Sequence, residues 1–252
     1  MEKIAIISDI HSNITAFNTV LEDIESRGIK RIFCAGDLVL KGSSPCEVVD
    51  LAKQKCEVIV KGNADEGAIN EITPHKTWHR ETLGEERIKF LDSLPLYFDF
   101  YMSGSLIRMF HASKNDTHFR IMDFDNVQDK MKLFEDENRV VPDIILYGDI
   151  HIQYMQKFFN KTLVNVGSVG NVVEFLNHDD TIKDMRETLQ AYYTILEGDY
   201  GEKEKKKSLS IQFVRIPYDI EKEIEIAKSK NSASVNNYIL ELTTGIYRKN
   251  KK

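Results

Sequence analysis

The stretches Ile6–His11 (IISDIH) and Leu146–His151 (LYGDIH) end in the same three residues, placing Asp9 with His11 and Asp149 with His151. A carboxylate and an imidazole two positions apart offer oxygen and nitrogen donors to one divalent cation. Three further donors follow short apolar runs: Asp37 after Gly36, Asn63 after Gly62, and His111 after Ser105–Phe110. Taken singly, an Asp or Asn behind a strand is equally a helix cap or a turn residue. Five such positions in order, every one with a metal-competent side chain, form a joint signal that capping alone does not explain.

The elements around these residues explain how they could meet. Ile4–Ser8 reads as a buried strand, followed by a helix over 13–27 with apolar residues at Ile14, Phe17, Val20, Leu21 and Ile24. Asn13 is its cap and Gly28 its stop. A strand at 31–35, a helix at 45–53 and a strand at 57–60 continue a parallel α/β pattern. A helix is expected at 85–94, a hairpin at 96–110 about Ser103-Gly104, a helix at 126–134 and a strand at 144–147. A second hairpin spans 154–166, strands follow at 192–197 and 208–216, and helices at about 221–229 and 234–242 close the chain. Ligands in open α/β sheets bind outside the carboxyl ends of strands, where all five donor positions fall. One domain over residues 1–252, with two sheets and the last helices packed on it, is the simplest arrangement.

The donors resemble, in order, the motifs of the calcineurin-like metallophosphoesterase superfamily: Asp-x-His at Asp9–His11, Gly-Asp-x-x-x-x-Gly at Gly36–Gly42, Gly-Asn-x-Asp at Gly62–Asp65, the lone His111, and a Gly-x-x-His at Gly148–His151. Within that superfamily the chain is similar to a small bacterial branch of phosphodiesterases and diadenosine tetraphosphate hydrolases, whose Asn-Pro-Gly-Ser loop is matched by Asn165–Ser168. The resemblance implies a four-layer α/β/β/α sandwich of two mixed sheets flanked by helices. It also implies two divalent ions, with Asp9, His11 and His151 on one, Asn63 and His111 on the other, and Asp37 between them. Two such ions activate a water and clamp the phosphate it attacks. Donors without thiolate suit Mn²⁺ first, and also Fe, Mg²⁺ or Zn²⁺. Asp37, Asn63, His111 and Asp65 would be the catalytic set, and Asn165, Gly167 and Ser168 would approach the substrate phosphate.

Two positions depart from the family pattern. Asp149 stands where a histidine is usual, bringing a third carboxylate that favours harder ions or, if turned away, leaves the second ion weak or absent. Ala64 stands where many relatives carry a histidine that protonates the leaving group. Its loss favours good leaving groups, hence a phosphodiester or phosphoanhydride such as diadenosine tetraphosphate over a phosphoprotein. Asp65 would orient Asn63, move a proton, or simply cap a helix. His75, Trp78 and His79 lie in a polar stretch expected to cover the site, and His118 and His178 match no metal motif.

The charge balance of 34 basic against 40 acidic residues argues against an extended nucleic-acid surface. The basic runs at 202–207 and 248–252 read as a solvated turn and a terminus. No apolar run approaches the length of a membrane span. Cys34, Cys46 and Cys56 lack paired spacing and are expected as reduced thiols in a cytoplasmic protein. The leading expectation is therefore a dinuclear metal-dependent phosphoesterase acting on a small nucleotide-type substrate. The alternative is a metal-binding scaffold of the same fold with weakened turnover; a nuclease or protein phosphatase ranks last.

Overall fold

Ile4 and Ile6 pack to one side of the first strand, Ala5 and Ile7 to the other, and all four are fully buried. A strand apolar on both faces must be covered on both faces, and the two coverings are different layers. The structure, a computed structural model, describes residues 1–70, 73–173, 189–230, 232 and 234–246. His178 and the tail 248–252 lie outside the described residues.

The first sheet contains β1 (Glu2–Ile7), β2 (Arg31–Cys34), β3 (Val58–Ile59), β9 (Ala191–Gly198) and β10 (Ser210–Ile216), in the order β10-β9-β1-β2-β3. β1, β2 and β3 are parallel, and β9 runs against both β1 and β10. The second sheet has the order β4-β5-β6-β8-β7, from β4 (Tyr97–Met102), β5 (Ser105–Phe110), β6 (Ile144–Tyr147), β7 (Gln153–Phe158) and β8 (Lys161–Val166). Its centre, β5-β6-β8, is parallel and both edges are antiparallel.

Between the sheets lie Ile4, Ile6, Phe33 and Ala35 from one side and Phe100, Met109, Leu146 and Val164 from the other. The outer face of the first sheet meets α1 (Ile14–Ser26) through Phe17, Val20 and Ile24, and α2 (Pro45–Lys55) through Val48, Val49 and Ala52. The outer face of the second is covered more thinly, by Leu133 and Phe134 just after the short α5 (Val127–Lys132) and by Ile121. The four-layer sandwich of two mixed sheets is thus present as expected. α6 (Ile220–Lys230) and α7 (Val235–Thr244) form a pair with its own apolar contact of Ile224, Ala227, Tyr238 and Leu242, and α6 packs on α1. The three cysteines are free.

Two elements differ from the sequence reading. α3 (Asn63–Asn70) begins at Asn63 itself, in a stretch to which the sequence reading assigned no element. The helix expected at 85–94 starts far earlier, as α4 (Pro74–Asp92), with Thr73 capping through its hydroxyl and Pro74 in the first turn. Gly84 breaks it at φ 69° and ψ 170°, so the expected helix is only its second half. The stretch 74–80 is therefore helix. His79 within it is fully buried, and the His75 side chain lies outside the described residues.

Candidate metal centre

The parallel strands β1, β2 and β3 of one sheet and β5, β6 and β8 of the other release their carboxyl ends on the same side, and all five donor positions are there. The two Asp-Ile-His turns have the same unusual backbone. Asp9 and His11 have φ of 53° and 50°, Asp149 and His151 of 67° and 64°, and Asp37 of 56°. Left-handed φ in a non-glycine residue costs on the order of 1–3 kcal/mol and persists only where surrounding contacts enforce it. Those contacts are visible: Asp9 and His11 amides donate to Gly36 and Asp37 carbonyls at 3.0 Å, and Ser12 to Leu38 at 2.9 Å. In each turn the isoleucine is fully buried, anchoring the loop while the flanking Asp and His face inward. Gly62 and Gly148 sit so close to the carboxylates that a Cβ on either would fall against Asp37 or Asp9.

The donor atoms converge from both sheets. Nδ1 of His11 donates to the Val39 carbonyl at 3.2 Å, and Nδ1 of His151 to the Asn171 carbonyl at 2.5 Å. A carbonyl only accepts, so Nε2 of each ring is turned to the centre, and these two atoms approach to 3.1 Å. Oδ1 of Asp9 lies 3.0 Å from His151 Nε2 and 3.7 Å from His11 Nε2, buried and with no hydrogen-bond partner. A second group adjoins: His111, whose Nδ1 donates to the Ala35 carbonyl at 2.8 Å, places Nε2 at 2.9 Å from Asn63 Oδ1 and 3.3 Å from Asp37 Oδ1. Asp37 Oδ2 is 3.6 Å from His11 Nε2, so this carboxylate faces both groups. Lone pairs crowded around a buried oxygen that no donor satisfies are a donor set suited to cations. The sets Asp9–His11–His151 and Asp9–Asp37–His111 each gather their donor atoms closely enough to hold an ion.

Electrostatics agree. Burial penalises a charged Asp9 and a charged Asp37, yet the facing histidines outweigh it and hold both below the ordinary carboxylate range. Burial pulls His11 down to about 4. Burial acts the same way on His111, but Asp37, Asp9 and Asp149 overcome it and hold that ring well above the usual histidine value. Near neutral pH a proton therefore occupies His111 wherever no cation does. Ion uptake must expel it, so affinity rises with pH and weakens as pH falls. We expect Mn²⁺ affinity at this position to drop by up to about tenfold per pH unit below neutrality. Competition titration against a chelator at pH 6, 7 and 8 measures it, with proton release read from calorimetry in two buffers.

Several expected site residues stand elsewhere in the architecture. Asp65 is buried in α3, its oxygens accepting from the amides of Asp37, Leu38, Val39 and Gly62 at 2.9–3.3 Å. It ties the β2 and β3 loops together and caps α3, holding the backbone of Asp37 in place. Burial, then Asp37, push it up to about 7. Asn165 and Ser168 are fully buried behind the centre. Asn165 donates to the Gly148 carbonyl and accepts from the Gly167 amide at 3.1 Å; Ser168 donates to the Asp9 carbonyl at 2.8 Å. Together with Gly167, these residues expected to approach the substrate phosphate brace both Asp-Ile-His turns. Asp149 neither turns fully away nor stands bare: Arg120 donates to its two oxygens at 2.7 and 2.6 Å, while Oδ1 lies 3.8 Å from His111 Nε2.

Residues that the sequence did not single out support the site from a distance. Glu241 of α7, 1% exposed, accepts from Lys41 at 2.9 Å and from the Asn171 side chain at 3.0 Å, and Asn171 in turn holds His151. We expect Glu241→Ala to cost about 1–3 kcal/mol of stability by urea unfolding and about tenfold in metal affinity, as loss of an outer-shell partner does.

Carboxylate and imidazole donors gathered where two mixed sheets end are the marks of a metal-dependent phosphoesterase. The chain belongs to the calcineurin-like phosphoesterase superfamily, whose domain model matches residues 2–185. It is 32% identical to an uncharacterized protein of Methanocaldococcus jannaschii, over 88% of this chain and 90% of that one. Its fold is similar to that of a metallophosphoesterase from Sphaerobacter thermophilus, with TM-score 0.73 at 19% identity, covering 97% of this chain and 99% of that one. It is also similar to that of a hypothetical protein from Pyrococcus horikoshii, with TM-score 0.77 at 17% identity, covering 98% and 100%. Among the described residues no helix is long and apolar enough to cross a membrane.

Proposed function

We propose that the chain is a dinuclear metal-dependent hydrolase of phosphodiester or phosphoanhydride bonds in a nucleotide-type small molecule such as diadenosine tetraphosphate. The observation that carries this reading is the unsatisfied Asp9 Oδ1 facing two imidazole nitrogens, with Asp37 between that group and His111–Asn63. Asp9, His11 and His151 would hold one ion and Asn63 and His111 the other, with the Asp37 carboxylate facing both groups. The chemistry that bound divalent ions would supply there is Lewis acidity toward the phosphate and acidification of a water.

The chain's own contribution is preorganisation. The Val39, Ala35 and Asn171 carbonyls fix the three imidazole rings, while Asp65 and Ser168 hold the loops that carry the carboxylates. Such fixed donors avoid reorganisation as charge develops on the phosphoryl oxygens. Free thiols and the small-molecule substrate fit a cytoplasmic enzyme of the branch related to phosphodiesterases and diadenosine tetraphosphate hydrolases. The test is metal removal, followed by Mn²⁺, Mg²⁺, Fe²⁺ or Zn²⁺ and assay of diadenosine tetraphosphate, aryl diesters and phosphopeptides. Mn²⁺-dependent turnover of the first two is expected; metal uptake with no turnover of any substrate would leave the scaffold reading standing.

A further inference from the structure

The two aspartates of the repeated Asp-Ile-His turns share a backbone conformation but not an electrostatic environment. Asp9 is surrounded by ring nitrogens and by the Asp149 amide at 3.2 Å. Asp149, 3% exposed, is forked by the Arg120 guanidinium through both oxygens, the planar bidentate match that arginine makes and lysine does not. Its Oδ1 is at the same time within 3.8 Å of His111 Nε2, at the edge of the Asn63–His111–Asp37 group. A fork of this kind takes up one side of the carboxylate, leaving each oxygen a further lone pair for an ion.

We propose that Arg120 tunes the second metal position: by neutralising Asp149 it sets how tightly, and with which ion preference, the Asn63–His111 group binds a cation. The pair has no net charge, as a neutral imidazole would have none, so a carboxylate is tolerated there without making three bare anions of Asp9, Asp37 and Asp149. The guanidinium's positive charge near the ion also weakens binding relative to an unpaired carboxylate. The side chain of Arg120 is 41% exposed, so its replacement leaves the core intact. This inference rests on the proposed dinuclear centre.

The test titrates Mn²⁺ and Zn²⁺ into metal-stripped full-length protein, reading ions bound per chain and the affinity of each. Arg120→Gln should bind the second Mn²⁺ at least about tenfold more tightly, since a nearby positive charge has gone. Asp149→His alone should bind it about tenfold more weakly, because the carboxylate that offsets the guanidinium charge has gone. R120Q combined with D149H should return to within about threefold of the wild type, and Arg120→Lys should stay within that range. A second-site affinity that is unchanged or weaker in Arg120→Gln would overturn the inference, as would a double variant that binds the second ion as weakly as Asp149→His alone. Wild-type protein that takes up neither ion at any concentration would instead overturn the dinuclear reading itself.

Discussion

Asp37→Asn should lower Mn²⁺-dependent turnover by about 10³-fold and bring metal content per chain down with it. Loss of an outer-shell partner typically costs about 10–100-fold, and Asp37 faces both donor groups directly, at 3.3 Å from His111 and 3.6 Å from His11. Its carboxylate also accepts from the Ala64 amide at 2.7 Å, so the first turn of α3 is aimed by the same residue. Asparagine preserves shape and that hydrogen bond through its carbonyl while removing the charge, which separates the electrostatic role from packing. Metal analysis of the purified variant beside steady-state kinetics checks it. Full metal content with wild-type turnover would show that Asp37 does not bridge.

The second large effect is a substrate preference. Ala64, buried at the second position of α3, can neither donate nor accept a proton. General acid assistance is typically worth about 10²–10⁴-fold, and an alkyl monoester, whose leaving oxygen is strongly basic, needs it most. Diadenosine tetraphosphate should therefore turn over at least about 10²-fold faster than a phosphoserine peptide under identical Mn²⁺ loading. Ala64→His should narrow that ratio by raising monoester cleavage, provided metal content shows the centre intact. Faster hydrolysis of phosphoserine by the wild type would remove this account of Ala64.

Much of this arrangement was legible before any coordinates, for a physical reason. Short apolar runs such as Ile144–Tyr147 and Ser105–Phe110 are strands at those very bounds, because a sheet covered on both faces demands continuous apolar segments. Donors placed directly after such strands, at Asp9, Asp37, His111 and His151, had to emerge at one edge once the strands ran parallel. The helical first half of α4 was not legible because its outward residues are polar and Gly84 divides it. Arg120 and Glu241 carried no local signal either. Their partners lie 29 and 200 positions away, at Asp149 and Lys41, so only the tertiary fold reveals them. The bracing bonds of Asn165 and Ser168 were not legible because motif position tells which loop a residue sits on, not which way its side chain turns.

The donors belong to different sheets: Asp9, His11, Asp37 and Asn63 leave strands of the first, while His111, Asp149 and His151 leave strands of the second. An ion shared among them would also be a rivet across the apolar seam of Ile6, Phe33, Leu146 and Val166. Binding that the unfolded chain cannot match stabilises the native state by mass action, about 2.7 kcal/mol at a hundredfold excess over Kd. Chelation would thus loosen the seam as well as silence the centre. Amide exchange in β1 and β6 should quicken together on chelation, since the proposed ions would tie the two layers at that end.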